Sequence, residues 1–299
     1  MHKRFSGVVV PMVTPLKSDY SIDRDAVRRI MHLFSTNSLN PLILGTTGES
    51  SSIGEKASLD FVSEAVSSKG KGQCVYAGLV GNQVEDLIKR GNLYMEIGAD
   101  VVVATLPSYY SLNPSQMVDF YTLLADKING PVMMYNIKAT TQMSIPADVV
   151  HQLSQHPNIW GLKDSERDAE RMKGFILNFK NRPDFSFFCG WGAQTAESLK
   201  LGADGIVPST GNIVPEFYRN LYQSSMIGDF ASAEKFQLET DKVAQIYQKG
   251  RTLGESLAAL KVLMHIKGLC ELEMMPPLSK LSDEDMDIIS QDYCDYLND

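Results

Sequence analysis

Eight short apolar runs, recurring at near-regular intervals, constrain this chain more than any other feature. They are GVVVPMV (7–13), PLILG (41–45), CVYAG (74–78), DVVVA (100–104), PVMMY (131–135), NIWGLK (158–163), FSFFCG (185–190) and DGIVPS (204–209). Most are rich in β-branched or aromatic residues, and each is too short for a helix, so they read as strands. Between them lie segments with apolar residues at helical spacing, such as RDAVRRIMHLF, GEKASLDFVSEAV, QVEDLIKRGNLYMEIG and SQMVDFYTLLADKI. The repeat of about 20 to 34 residues fits one strand, one helix and two short loops. Strands that are apolar throughout are buried on both faces, which implies a parallel sheet covered by helices; eight units point to a closed (β/α)8 barrel, a TIM barrel, rather than an open sheet. No GxGxxG opens an early helix, which argues against a dinucleotide-binding fold. From about Gly228 the pattern changes to three further helices, DFASAEKFQLETDKVAQIYQ, ESLAALKVLMHIKGL and DEDMDIISQDYCDYL. The expected organisation is therefore a catalytic barrel over 1–226 and a C-terminal three-helix extension over 227–299.

Composition narrows the partners. The 299 residues suit one barrel with an appendage, and 43% hydrophobic with 21% charged residues is ordinary for a soluble protein. No apolar run approaches the roughly 20 residues that span a bilayer. The N-terminal MHKRFSGVVVPMVTPL has basic residues before an apolar stretch, but Pro11 and Pro15 interrupt it and no small-residue cleavage site follows, so it reads as a first strand and not a signal peptide. Cys74, Cys189, Cys270 and Cys294 are far apart, without metal-ligand spacing, and read as free thiols in a reducing cytoplasm. A net charge of −8 argues against nucleic acid or an anionic membrane as partner. The expected ligand is a small molecule.

In such a barrel the chemistry gathers at the C-terminal ends of the strands. Those positions hold GTTGE (45–49) after strand two, PSYY (107–110) after strand four, Tyr135 and Asn136 at the end of strand five, and Lys163 at the end of strand six. Burial disfavours the charged form of an amine, and a neutral amine attacks carbonyls, so a lysine that ends an apolar run is a candidate Schiff-base residue. Blander readings exist for each position. Lys163 could be a solvated loop residue paired with Asp164, and Tyr135 could be packing. GTTGE could be a capped turn with Glu49 in the first turn of the next helix.

These motifs together resemble the dihydrodipicolinate synthase and N-acetylneuraminate lyase family of class I, pyruvate-dependent aldolases. The resemblance rests on VTP (13–15), GTTGE, the P-x-Y-Y of PSYY, YN (135–136), GLKDS (161–165) and LGADGIVPSTGN (201–212), and it covers essentially the whole chain. It implies that Lys163 condenses with the keto group of pyruvate or another 2-keto acid. Tyr135 would relay protons at the new bond, Thr46 and Thr47 would hold the carboxylate, and Thr46 would join the relay. Tyr109 would enter a neighbouring subunit's site. The substrate-binding set carried over is Thr46, Thr47, Thr140, Gly190 and Val207. No cofactor and no metal is expected, because a protonated imine is itself the electron sink. Two adjacent tyrosines between Pro107 and Pro114 point to an aromatic interface, and a homotetramer built from two tight dimers is the expected assembly.

Departures from the family pattern bear on the substrate. Synthases read Tyr-Asn-x-Pro-x-Arg, whose arginine holds the incoming semialdehyde; here YNIKAT places Lys138 at the proline and Thr140 at the arginine. A lysine ammonium does not reproduce a bidentate guanidinium fork. The acidic residues that bind sugar hydroxyls in N-acetylneuraminate lyases are replaced by Gly192 and Ala193, beside Trp191. What remains resembles aldolases or dehydratases of 2-keto-3-deoxy acids. Condensation of pyruvate with aspartate semialdehyde is one alternative, and a protein that forms the imine without turnover is another.

Overall fold

A computed structural model describes residues 3–298. Eight parallel strands close on themselves in chain order: β1 (Gly7–Pro11), β2 (Asn40–Ile43), β3 (Tyr76–Leu79), β4 (Val101–Thr105), β5 (Val132–Asn136), β6 (Ile159–Asp164), β7 (Ser186–Cys189) and β8 (Gly205–Ile206). Closure is made where β1 pairs with β8, Gly7 opposite Gly205 and Val8 opposite Ile206. Each of the eight expected runs overlaps one strand, and five of the strands extend one residue beyond their run. The last is the shortest, because Pro208 has no N–H to donate and Ser209–Asn212 coil into a 3-10 turn. Val207 still extends the ladder by one bond, donating its N–H to the Cys189 carbonyl at 2.7 Å.

Alternation along each strand divides the core in two. Val9, Leu42, Tyr76, Val101, Val103, Met133, Tyr135 and Phe188 pack inside the barrel, while Val102, Ala104, Val132, Met134 and Leu162 pack against the helices. The N-terminal end of the barrel is plugged by Phe5, edge-on to Tyr76 at 5.9 Å, and by Lys3, whose Nζ ion-pairs with Asp204 at 2.8 Å. That end is sealed with side chains, which leaves the C-terminal end for chemistry.

The outer layer comprises α1 (Arg24–Thr36), α2 (Glu55–Ser67), α3 (Val84–Ile97), α4 (Pro114–Lys127), the single turn α5 (Lys138–Thr141), α6 (Ala147–Leu153), α7 (Ala169–Phe179), α8 (Thr195–Leu201) and α9 (Pro215–Met226). Their starts are written in the sequence: Asp23 caps α1, and Asn113 with Gln116 forms a capping box ahead of Pro114 on α4. Three more helices follow, α10 (Phe230–Gln248), α11 (Leu253–Ile266) and α12 (Asp283–Asn298), where the three-helix extension is expected. Tyr247 of α10 reaches back to the β8 loop, its hydroxyl 2.8 Å from Ser209 Oγ and 2.9 Å from Thr210 Oγ1. No helix among the described residues is long and apolar enough to cross a membrane. Cys189 and Cys270 are buried, Cys74 is half-buried and Cys294 exposed, all as free thiols.

Candidate active site

Lys163 is the fifth residue of β6, 4% exposed although it is a lysine. Its register partner on β5 is Tyr135, so the two side chains rise from neighbouring strands on the same face. Lys163 Nζ lies 3.7 Å from the centre of the Tyr135 ring, and the Tyr135 hydroxyl lies 3.4 Å from Thr46 Oγ1. Asp164, the next residue, points to the other face: Arg171 of α7 donates to it at 2.7 Å and Asn136 at 2.9 Å. The reading of Asp164 as a surface partner for Lys163 is thereby corrected, because successive strand residues face opposite ways.

The GTTGE turn is held from several sides. Thr14 of the VTP motif donates to the Gly48 carbonyl at 2.5 Å. Leu44 and Glu49 both have positive φ, 52° and 56°, which bend the chain sharply over the barrel mouth. Gly78 on β3 makes room for that bend, since a Cβ there would sit 2.0 Å from the Leu44 carbonyl oxygen. Glu49 does not belong to the first turn of a helix, which begins at Glu55. It is buried and ion-paired with Lys261 of α11 at 2.6 Å, and it accepts the Met275 N–H at 2.7 Å. One motif thus serves two purposes, its threonines facing the cavity and its glutamate anchoring the turn to the extension.

Thr46, Thr47, Tyr135, Lys163, Gly190 and Val207 line one cavity of about 620 Å³. Gly190 has to be small, because a Cβ would meet Ser165 Oγ at 2.1 Å. Two expected site residues lie elsewhere. Thr140 lines an adjoining cavity that shares Thr46, and its hydroxyl donates to the Ile137 carbonyl at 3.4 Å. Tyr109 is 77% exposed, with its ring edge-on to Tyr110 at 4.9 Å. Lys138 pairs with Glu166 at 3.6 Å. The cavity also takes in Ser165, Arg167, Asp241 and Arg251, which sequence reasoning missed. Ser165 and Arg167 could have been found by reading on past Lys163 in the same loop. Asp241 and Arg251 come from the extension and carry no local signal.

Electrostatics bear on the phenol. Burial alone pushes Tyr135 up, but the positive charge of Lys163 and hydrogen bonds with Thr46, Lys163 and Ser165 outweigh it, so the hydroxyl ionises below the ordinary tyrosine value. A group lowered in this way reaches its basic form at lower pH, so the basic form of Tyr135 is populated earlier in a pH titration than that of a free tyrosine. Thr46→Val removes one of the lowering contacts. The Tyr135-dependent limb of the pH-rate profile is expected to move to higher pH and kcat to fall by about 10- to 100-fold; a limb left in place in the variant would contradict the contact.

A parallel barrel with a lysine and a tyrosine on adjacent strand ends has the groups that imine chemistry requires. The chain matches the Dihydrodipicolinate synthetase family over residues 4–292, and it belongs to that family of class I lyases and aldolases. It is 27% identical over 289 residues to a probable 2-dehydro-3-deoxy-D-pentonate aldolase of Escherichia coli (strain K12), with 95% of each chain covered. It is 28% identical over 284 residues to a 4-hydroxy-tetrahydrodipicolinate synthase of Haloarcula marismortui, covering 95% of this chain and 91% of that one. Among solved structures, the dihydrodipicolinate synthase of Bacteroides thetaiotaomicron superposes with a TM-score of 0.92 at 25% identity, over 99% of this chain and 100% of that chain.

Proposed function

We propose that this chain cleaves a 2-keto-3-deoxy acid to pyruvate and an aldehyde through an imine on Lys163. The observation that carries the reading is the approach of Lys163 Nζ to the Tyr135 ring at 3.7 Å, in a cavity that also holds Thr46 and Thr47. Nζ adds to the C2 carbonyl, and loss of water gives the protonated imine. Tyr135, as phenolate, takes the C4 hydroxyl proton while the C3–C4 bond breaks and its electron pair flows to the iminium nitrogen, leaving an enamine and a free aldehyde. The proton returns to C3, and water hydrolyses the imine to release pyruvate and free Lys163. Thr46 keeps the phenol in line, and turn amides beside Thr46 and Thr47 suit the substrate carboxylate. Dehydration of the same substrate class would use the same imine.

Sequence relatives named as aldolase and as synthase match at similar identity, so the reading against synthase rests on the residues themselves. The arginine position holds Thr140, turned towards Ile137, and Lys138 is engaged with Glu166. Lacking a charge-assisted bidentate contact of about 2 to 4 kcal/mol, condensation of pyruvate with aspartate semialdehyde is expected to run roughly 30- to 1000-fold below cleavage of a keto-deoxy acid in kcat/KM. Assaying both reactions on one preparation checks this, and synthase turnover that matches or exceeds cleavage would reverse the assignment.

The assembly belongs to the same proposal. Tyr109 and Tyr110, 77% and 72% exposed, offer an aromatic surface, and Ser108 and Tyr109 donate their backbone N–H groups to Asn82 Oδ1, which props the loop outward. We place Tyr109 in a neighbouring copy's relay with Tyr135 and Thr46, in a homotetramer made of two tight dimers, working in the cytoplasm. The barrel over 1–226 carries the catalytic lysine, and 227–299 completes the cavity wall. Tyr109→Phe is expected to slow turnover about 10- to 100-fold with the dimer retained, because the ring still packs while the hydroxyl is gone. Sedimentation at assay concentration checks it, and a fully active monomer is the contrary result.

A further inference from the structure

The cavity above Lys163 contains charges that the imine chemistry does not use. Arg167, in the loop after β6, and Arg251, in the link between α10 and α11, both line it. A guanidinium stays charged at every working pH and offers a planar fork of donors matched to carboxylate or phosphate. Several other arginines are paired with carboxylates within the chain: Arg28 meets Glu64 at 2.7 Å, Arg90 meets Asp86 at 2.8 Å, Arg171 meets Asp164 at 2.7 Å and Arg182 meets Asp184 at 2.7 Å. Arg167 and Arg251 have no carboxylate partner among the described residues. Arg251 commits one N–H to the Ile246 carbonyl at 2.9 Å and keeps the others. Arg4, Arg29 and Arg219 also lack a carboxylate partner, but none of them lines the cavity.

The remaining charge in the lining is Asp241. Gln237 donates to it at 2.8 Å, and burial pushes its carboxyl up towards the neutral form. On the β5 side the described residues offer no free cation, since Lys138 is paired with Glu166 and Thr140 faces the adjoining cavity. Among the described residues, the cavity's positive groups beyond the lysine are therefore these two guanidiniums, one from the barrel and one from the extension.

We propose that Arg167 and Arg251 bind a second anionic group, a carboxylate or a phosphate, on the end of the substrate remote from the keto acid. The substrate is then a 2-keto-3-deoxy acid with an acidic tail, not one with a neutral polyol tail. This rests on the imine reading above, and it places the anion grip on the β6 and extension side of the cavity, away from the β5 position where a synthase carries its arginine.

Three six-carbon donors of matched length test the proposal by release of pyruvate: 2-keto-3-deoxyglucarate, with a terminal carboxylate; 2-keto-3-deoxy-6-phosphogluconate, with a terminal phosphate; and 2-keto-3-deoxygluconate, with a neutral end. The wild-type protein is expected to prefer one acidic donor over the neutral one by at least about tenfold in kcat/KM, and the preferred donor tells carboxylate from phosphate. Loss of a charge-assisted contact in Arg167→Gln should lower that preference at least about threefold, mainly through KM, with Arg251→Gln acting in the same direction and the double variant bringing the ratio close to one. Cleavage of neither acidic donor faster than the neutral one overturns the proposal, as does a ratio that survives in the double variant. Borohydride trapping of pyruvate on the wild-type protein separates the two levels: a trapped Lys163 with no acidic preference sinks this inference alone, whereas an untrapped Lys163 sinks the imine reading with it.

Discussion

Lys163→Ala is expected to abolish turnover, lowering kcat/KM by about 10⁴-fold or more, while the barrel remains folded. The two halves of this expectation have separate causes. In the proposed reaction every step after binding passes through the bond between Nζ and the keto carbon, and no other lysine among the described residues lines the cavity. The fold survives because the amine lines a cavity rather than filling the apolar core, and its removal relieves a desolvated polar group. Thermal unfolding within a few degrees of wild type, together with absent pyruvate release, is the expected pair of results. A variant that retains more than about a hundredth of the activity would place the nucleophile elsewhere.

Lys261→Met is expected to be the most destabilising single change, by about 3 to 5 kcal/mol, because it leaves Glu49 buried without its ion partner. Both side chains are all but sealed from solvent, 1% and 0% exposed, and their atoms lie 2.6 Å apart. Lys261 also donates to the Glu273 carbonyl, so the change orphans an acceptor as well. For a chain of this size the loss corresponds to a fall in Tm of roughly 5 to 10 °C. Glu49 sits two residues beyond Thr47 on a left-handed backbone, so a loosened anchor should also free the GTTGE turn, which is proposed to hold the substrate carboxylate, and raise KM. Glu49→Gln combined with Lys261→Met removes both charges and should recover part of the stability, since replacing a buried pair costs less than breaking it. A single variant that melts with wild type would show that the pair does not hold the turn.

Much of this was legible in the sequence, for identifiable reasons. The eight strands stood out because a parallel barrel buries both faces of each strand and leaves an unbroken apolar run. Lys163, Tyr135 and Thr46 stood out because they interrupt or end such runs at the one end of the barrel where loops converge. The blander alternative that pairs Asp164 with Lys163 fails because period-two alternation places strand neighbours on opposite faces. The alternative that puts Glu49 in the first turn of a helix fails too, and its true partner Lys261 lies in the extension, where a contact across so much chain has no local period. Arg251 and Asp241 escaped for the same reason. Thr140 was assigned from its place in the YNIKAT segment, whereas the α5 turn sets its hydroxyl against the Ile137 carbonyl and turns it to the adjoining cavity.

Borohydride trapping reads the imine on Lys163 without passing through turnover. The wild-type protein would be incubated with saturating pyruvate and borohydride, digested, and its peptides weighed. One reduced pyruvyl group per chain is expected, located on Lys163, with activity lost in proportion to labelling and no label in Lys163→Ala. An unmodified Lys163 peptide after saturating treatment, or a label carried by a different lysine, would contradict it.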